Sequence, residues 1–260
     1  MIYTTLLSWL FRLRYGKPDA HEPEVLSGLV IVADGIGGLD LCGMALKTML
    51  GVEGSSYRVV LQKWGHGFGR WLVDLTNVAN HETQAQAMAE QVKAWRVERP
   101  GLPVFLVGKS GGCGIIVHAL ERLEPEAVEA VVLLAPAVSP EYDLAKAIAA
   151  VRREMVVFWS PYDVFILGMG TRFFGTIDRI KTVSAGLVGF RIEHPKLKQV
   201  RWQPSMIKSG YFGGHVGPDI PAFLRRYVVP LLTTEPTTDV GFPASVKPDE
   251  DRADNPMARG

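Results

Sequence analysis

Ser110 sits in Gly108-Lys109-Ser110-Gly111-Gly112, a turn that follows the apolar run Val104-Phe105-Leu106-Val107 and opens into a helix-compatible stretch reaching Arg122. Gly-x-Ser-x-Gly between a buried strand and a helix is the setting in which a serine is lifted clear of the backbone on a sharp turn. The residue at the apex of such a turn is strained, and glycines beside it remove the side chains that would collide there. A helix beginning at Gly111 also directs free N–H groups and the positive end of its dipole towards the serine, where the oxyanion of acyl transfer would develop. The chemistry predicted is attack by a hydroxyl on a carbonyl carbon.

A hydroxyl needs a base to take its proton, and the base needs an acid to orient it. Of six histidines, His215 alone follows the last plausible strand, in a loop containing Gly213, Gly214 and Gly217. It is the expected base. His66, in a second glycine-containing loop, is its competitor, and His118 falls within the helix after the serine and reads as structural. For the acid, Asp163 comes one short turn, Ser160-Pro161-Tyr162, after the run Met155-Val156-Val157-Phe158-Trp159. Asp178, beside Arg179, reads as a solvated turn.

These residues need a sheet whose strand ends bring them to one edge. Short apolar, β-branched runs predict strands at Leu29–Ala33, Tyr57–Gln62, Val104–Val107, Ala130–Ala135 and Met155–Trp159, with a weaker one at Gln199–Trp202. Between them lie helical stretches at about 39–50, 82–98, 111–122 and 142–154, and a closing helix at 218–232. Strands alternating with helices predict an α/β fold, a mostly parallel sheet of about six strands covered on both faces. The interval between the fourth and fifth strands has room for one helix, so no large cap domain is expected to cover the serine.

The order Ser110, Asp163, His215, with the serine turn and the alternation over 29–232, resembles the α/β-hydrolase superfamily of serine esterases and lipases. The resemblance implies a three-layer α/β-hydrolase sandwich and a Ser-His-Asp triad. It also implies an oxyanion hole formed by the N–H of Gly111 and one from the loop Asp34-Gly35-Ile36-Gly37-Gly38, where Ile36 is the expected donor. Asp34 stands where many members carry histidine. The implied activity is hydrolysis of carboxylic esters through an acyl-enzyme. A thioesterase or amidase with the same triad, and a non-catalytic membrane-associated binding protein on the same fold, are the alternatives.

Other chemistries fit less well. Gly108-Lys109-Ser110 copies the end of a phosphate loop, but the glycine required at 103 is Pro103, followed by a strand. Gly35-x-Gly37 begins a dinucleotide fingerprint whose third glycine would fall at Asp40. His81-Glu82 has no second histidine at zinc-ligand spacing, so no metal and no cofactor are expected. Trp64, Phe68 and Trp71 in the loop after the second strand are candidate substrate-binding residues, suited to a small-molecule or lipid ester. Phe165, Ile166, Leu167, Met169, Phe173 and Phe174 would form core, lid or acyl wall.

With 28 basic and 27 acidic residues among 260, the chain has no field that would gather nucleic acid. Cys42 and Cys113 form no paired motif and read as buried. No apolar run reaches the roughly 18–20 residues of a membrane span. Residues 1–28 are expected to form an N-terminal helix docked on the domain or, as the alternative, an interfacial segment in peripheral membrane contact through residues 1–14, where Ile2, Leu6, Trp9, Leu10 and Leu13 would share a face. The segment has no leading charge or cleavage site of a signal peptide, so the expected location is cytoplasmic, with membrane association if that helix lies in an interface. Residues 29–232 form the predicted hydrolase-like domain, and the Pro-, Asp- and Thr-rich stretch 233–260 a disordered tail.

Overall fold

The structure, a computed structural model, describes residues 25–164, 167, 171 and 175–232. The expectations for the N-terminal interfacial segment, the tail at 233–260 and Phe165, Ile166, Met169, Phe173 and Phe174 lie outside the described residues. Among the described residues, no helix is long and apolar enough to cross a membrane.

Six parallel strands make one sheet: β1 (Gly28–Ala33), β2 (Tyr57–Leu61), β3 (Val104–Lys109), β4 (Val128–Leu134), β5 (Val151–Trp159) and β6 (Leu197–Arg201), in the order β2-β1-β3-β4-β5-β6. β1, β3 and β4 are buried along their whole length, as continuous β-branched runs must be when both faces are covered. Alternate residues serve opposite layers. Leu29, Ile31 and Ala33 pack with α3 (Val78–Glu98) and α4 (Gly111–Leu120) through Met88, Val92 and Ile115. Val30 and Val32 pack with α1 (Leu41–Val52) and the C-terminal segment through Cys42, Leu46, Phe223 and Tyr227. Each such fully buried aliphatic side chain contributes roughly 1.5–3 kcal/mol of transfer free energy. The α/β sandwich expected from the alternation is the architecture observed.

Four elements differ from expectation. The glycine- and tryptophan-containing loop after β2 holds a short helix, α2 (Trp71–Thr76). α3 begins at Val78 rather than Glu82, because the Asn77 side chain accepts the Asn80 N–H and caps it. The helix expected at 142–154 shrinks to α5 (Ala145–Ala149), since β5 already begins at Val151. The charged stretch Arg152-Arg153-Glu154 is strand, satisfied across the sheet by pairs of Arg152 with Glu129 and of Lys198 with Glu154. The closing helix expected at 218–232 breaks into short turns of different pitch between Gly217 and Leu231, with prolines at 218, 221 and 230 removing donors that a continuous helix needs.

β4 and β5 are joined by residues 135–150, all described, which hold α5 and no cap domain. β1 lies between β2 and β3, so the loops leaving the carboxyl ends of β1 and β3 part in opposite directions. A crevice at such a switch point is where open α/β sheets bind ligands.

Candidate active site

Ser110 closes β3 with φ 52° and ψ −120°, a left-handed conformation that costs a residue with a side chain on the order of 1–3 kcal/mol. The surroundings hold it there. Its N–H donates to the Leu134 carbonyl at 2.9 Å, and its own carbonyl accepts from Cys113 and Ala137 N–H groups, each at 3.1 Å. α4 packs directly on the end of β1: a Cβ on Gly112 would lie 2.1 Å from the Ala33 carbonyl oxygen.

Asp163 reaches the same edge from the loop after β5, its N–H donating to the Ser160 carbonyl. His215 arrives from the loop after β6, which is pinned at both sides. The Trp202 indole donates to the Tyr211 carbonyl at 2.9 Å, and Gly217 lies so close to the Tyr211 ring that a Cβ there would be 2.0 Å from it. The three side chains meet in one line. His215 Nδ1 is 2.6 Å from Asp163 Oδ2, and Nε2 is 3.1 Å from Ser110 Oγ. With Nδ1–H donated to the buried carboxylate, Nε2 presents its lone pair to the serine hydroxyl, the arrangement that draws a proton off a nucleophile.

Gly111, the first residue of α4, and Ile36, in the loop after β1, flank the serine, and their N–H groups donate to no acceptor among the described residues. Ile36 touches Gly111 closely, with its Cγ2 3.0 Å from where a Gly111 Cβ would stand. Gly35 leaves a Cβ-sized gap 3.4 Å from Ser110 Cβ. Unused donors beside the nucleophile can hold an oxyanion.

A cleft of about 480 Å³ opens over Ser110 and His215. Ile36, Leu39, Trp71, Leu75, Leu167 and Val216 supply most of its apolar wall. Two of the three aromatic candidates from the sequence need correction. Trp71 lines the cleft and is 44% exposed, but Trp64 is 3% exposed, inside the core, its indole donating to the Asp34 carbonyl at 2.7 Å. Phe68 is exposed and does not line the cleft. Of the other candidates, His66 is paired with Asp74 rather than with the serine, His118 lies against Glu82 and Tyr142, and both cysteines are buried. Asp178 is not a solvated turn: it accepts the N–H and hydroxyl of Ser139.

The sequence reading missed a charged group at the cleft floor. Lys109, the residue before the serine, is buried at the end of β3 and forms an ion pair with Asp219 at 3.7 Å, beyond hydrogen-bond reach. Asp219 stands four residues after His215 in Gly217-Pro218-Asp219, and a lysine inside the serine turn was the one visible hint that an acid must follow. Asp34 accepts the N–H groups of Cys42 and Gly43 at the start of α1. Burial pushes its carboxyl up to about 6, against the lowering effect of the Gly43 amide, and burial likewise raises Asp219. Asp34, Cys42 and Asp219 bring possible ligand atoms within 4.8 Å of one another. Both Asp34 oxygens already accept amide N–H groups and the Lys109 cation faces Asp219, so each carboxylate of the trio has a partner within the protein.

Burial first, and then the Lys109 charge, hold the His215 imidazole below its ordinary pKa of 6.5, against the raising effect of Asp163. A base must be neutral to act, so the acid limb of kcat/KM against pH is expected below 6.5, with activity gained as pH rises through it. Lys109→Met removes a cation that disfavours imidazolium, and should move that limb to higher pH. An unmoved limb in the variant would exclude Lys109 as an electrostatic neighbour of His215.

A family model described as serine aminopeptidase (S33) matches residues 57–166, a stretch holding Ser110 and Asp163 and ending before His215. Among solved structures, the chain is similar to a CIB-like hydrolase from Thermoplasma acidophilum, at 14% identity over 81% of this chain and 88% of that one, with a TM-score of 0.44. It is also similar to an esterase from Pyrococcus furiosus, at 13% identity over 77% and 83% with a TM-score of 0.44. A cutinase from Trichoderma reesei is similar at 16% identity over 89% and 88%, with a TM-score of 0.41. No curated protein sequence matches.

Proposed function

We propose that this chain, a hydrolase of the α/β-hydrolase superfamily, cleaves carboxylic esters with Ser110 as nucleophile, His215 as general base and acid, and Asp163 as the group that orients the histidine. The observation that carries the reading is the continuous line of hydrogen bonds Ser110–His215–Asp163 at the floor of an apolar cleft. Ser110 Oγ attacks the ester carbonyl while its proton passes to His215 Nε2. The oxyanion is received by the N–H groups of Gly111 and Ile36. Collapse of the intermediate breaks the C–O bond, and His215 returns the proton to the leaving alkoxide, freeing the alcohol. Water then attacks the acyl-enzyme, giving its proton to His215, and the acid departs as Ser110 regains a proton.

The cleft favours an apolar acyl group. Leu39, Trp71 and Val216 come from three different segments and are each partly exposed at the cleft, so a hydrocarbon chain would cover surface otherwise in water. A panel of p-nitrophenyl esters of rising acyl length is expected to show kcat/KM increasing with length, and Trp71→Ala should reduce that increase chiefly through KM. A flat panel in the wild type would remove the acyl-chain reading. The described family match raises peptide amides as a second substrate class, and an aminoacyl p-nitroanilide in the same panel separates the two.

A further inference from the structure

We propose that Asp74 is a positioning residue for the oxyanion loop, holding the Ile36 peptide in place without itself meeting substrate. The proposal rests on the reading of Ser110 and Ile36 given above. The Asp74 side chain is completely buried on α2, and its two oxygens are divided between two loops. Oδ2 accepts the Gly37 N–H at 2.8 Å, and Oδ1 accepts the His66 N–H at 2.6 Å and faces His66 Nδ1 at 2.9 Å. Asn77 Nδ2 donates to His66 Nε2 at 3.2 Å, which selects the tautomer that donates Nδ1–H to Asp74. The helix holding the carboxylate is itself tied inward, because the Asp74 carbonyl accepts from His81 Nε2 in α3.

A carboxylate removed from water has to be met by donors, and all the donors found here come from these two loops. Gly37 is the residue after Ile36. It has φ 89°, its carbonyl accepts the Gly69 N–H at 3.1 Å, and the Trp64 indole grips the same loop at Asp34. The loop after β1 is thus held on its outer side by the segment 64–74 and meets Ser110 on its inner side. Gly65 is part of the same fit, since a Cβ there would stand 2.8 Å from Asp74 Oδ2. On the cleft side, α2 contributes Trp71 and Leu75 to the wall, while Asp74 does not line it. Asp74 therefore connects the wall that would hold the acyl group to the loop that would hold the oxyanion.

Asp74→Asn keeps the shape and one acceptor but turns an N–H₂ towards a donor, so one of the two loops is released. Relative to the wild type, kcat for p-nitrophenyl butyrate is expected to fall about 10- to 100-fold with KM changed by less than about threefold, an indirect version of losing an oxyanion donor. Inhibition by a trifluoromethyl ketone, which forms an oxyanion on the serine, should weaken by the same factor as kcat/KM. A variant with lowered Tm but wild-type kcat and ketone affinity would make Asp74 merely structural and overturn the proposal. A fast-exchanging Gly37 amide in the wild-type protein would overturn it independently, without any variant having to fold; slow exchange is expected. Labelling of the wild type by a fluorophosphonate is measured alongside. If labelling succeeds and Asp74→Asn is unimpaired, this inference alone fails; if labelling fails, the reading of Ser110 fails first.

Discussion

Ser110→Ala is expected to lower kcat for a p-nitrophenyl ester by about a millionfold, and Asp163→Asn by about ten-thousandfold, with little change in stability in either case. In the proposed mechanism the serine supplies the attacking atom. The asparagine keeps the shape of the carboxylate, yet its amide would favour the tautomer with a proton on Nε2, which faces Ser110 Oγ with a hydrogen rather than a lone pair. The wild type should therefore bind a fluorophosphonate covalently, Ser110→Ala not at all, and Asp163→Asn slowly. Labelling of Ser110→Ala at the wild-type rate would move the nucleophile to another residue. A folded wild type that takes no label would favour a binding protein on this scaffold.

The two variants test different parts of one device, and the fold explains why it can be assembled from distant segments. Ser110 and Asp163 stand just beyond the carboxyl ends of β3 and β5, and His215 lies in the longer segment that follows β6, so a parallel sheet brings all three to one edge whatever their separation in the chain. That is why their meeting was legible in the sequence: strand runs are recognisable from β-branched residues, and chain order then determines the edge. Ile36 came instead from the resemblance to a known family, although its loop also leaves the sheet at the end of a strand, β1. Helix boundaries were less so, because Arg152-Arg153-Glu154 reads as helical until Glu129 and Lys198 on the neighbouring strands are known to neutralise it.

Side-chain direction was not legible within loops. Trp64 and Trp71 have the same residue type in the same glycine-containing segment, yet one braces the Asp34 carbonyl inside the core and the other faces the cleft. The difference comes from α2, a six-residue helix with too little periodicity to be seen in advance. Asp74, Lys109 and Asp219 were missed for a related reason. A buried charge is recognisable only with its partner, and their partners lie in other segments: Gly37 for Asp74, and Lys109 and Asp219 for each other.

Gly112→Ala tests the packing that places the serine turn, and should prevent folding or destabilise the protein by more than about 4 kcal/mol. A methyl at 112 would stand 2.1 Å from the Ala33 carbonyl oxygen and 2.4 Å from that of Asp34. Both obstacles are backbone. They belong to the end of β1 and the start of the loop after it, so relief would have to lift α4 from the sheet or bend the loop that holds Ile36. Gly114→Ala also collides, 2.0 Å from Ile177 Cγ2 and 2.9 Å from Ile177 Cβ; rotation relieves the first but not the second, so its cost should be substantial yet below that of Gly112→Ala, where backbone is struck. Gly51→Ala meets nothing within 4 Å in the last turn of α1, and should be neutral or stabilising by up to about 1 kcal/mol. Urea unfolding of the three variants ranks them, and a Gly112→Ala protein as stable as the wild type would contradict the contact between α4 and β1. That contact sets the distance between Gly111 and Ile36, so any folded Gly112→Ala fraction should label with fluorophosphonate more slowly than the wild type.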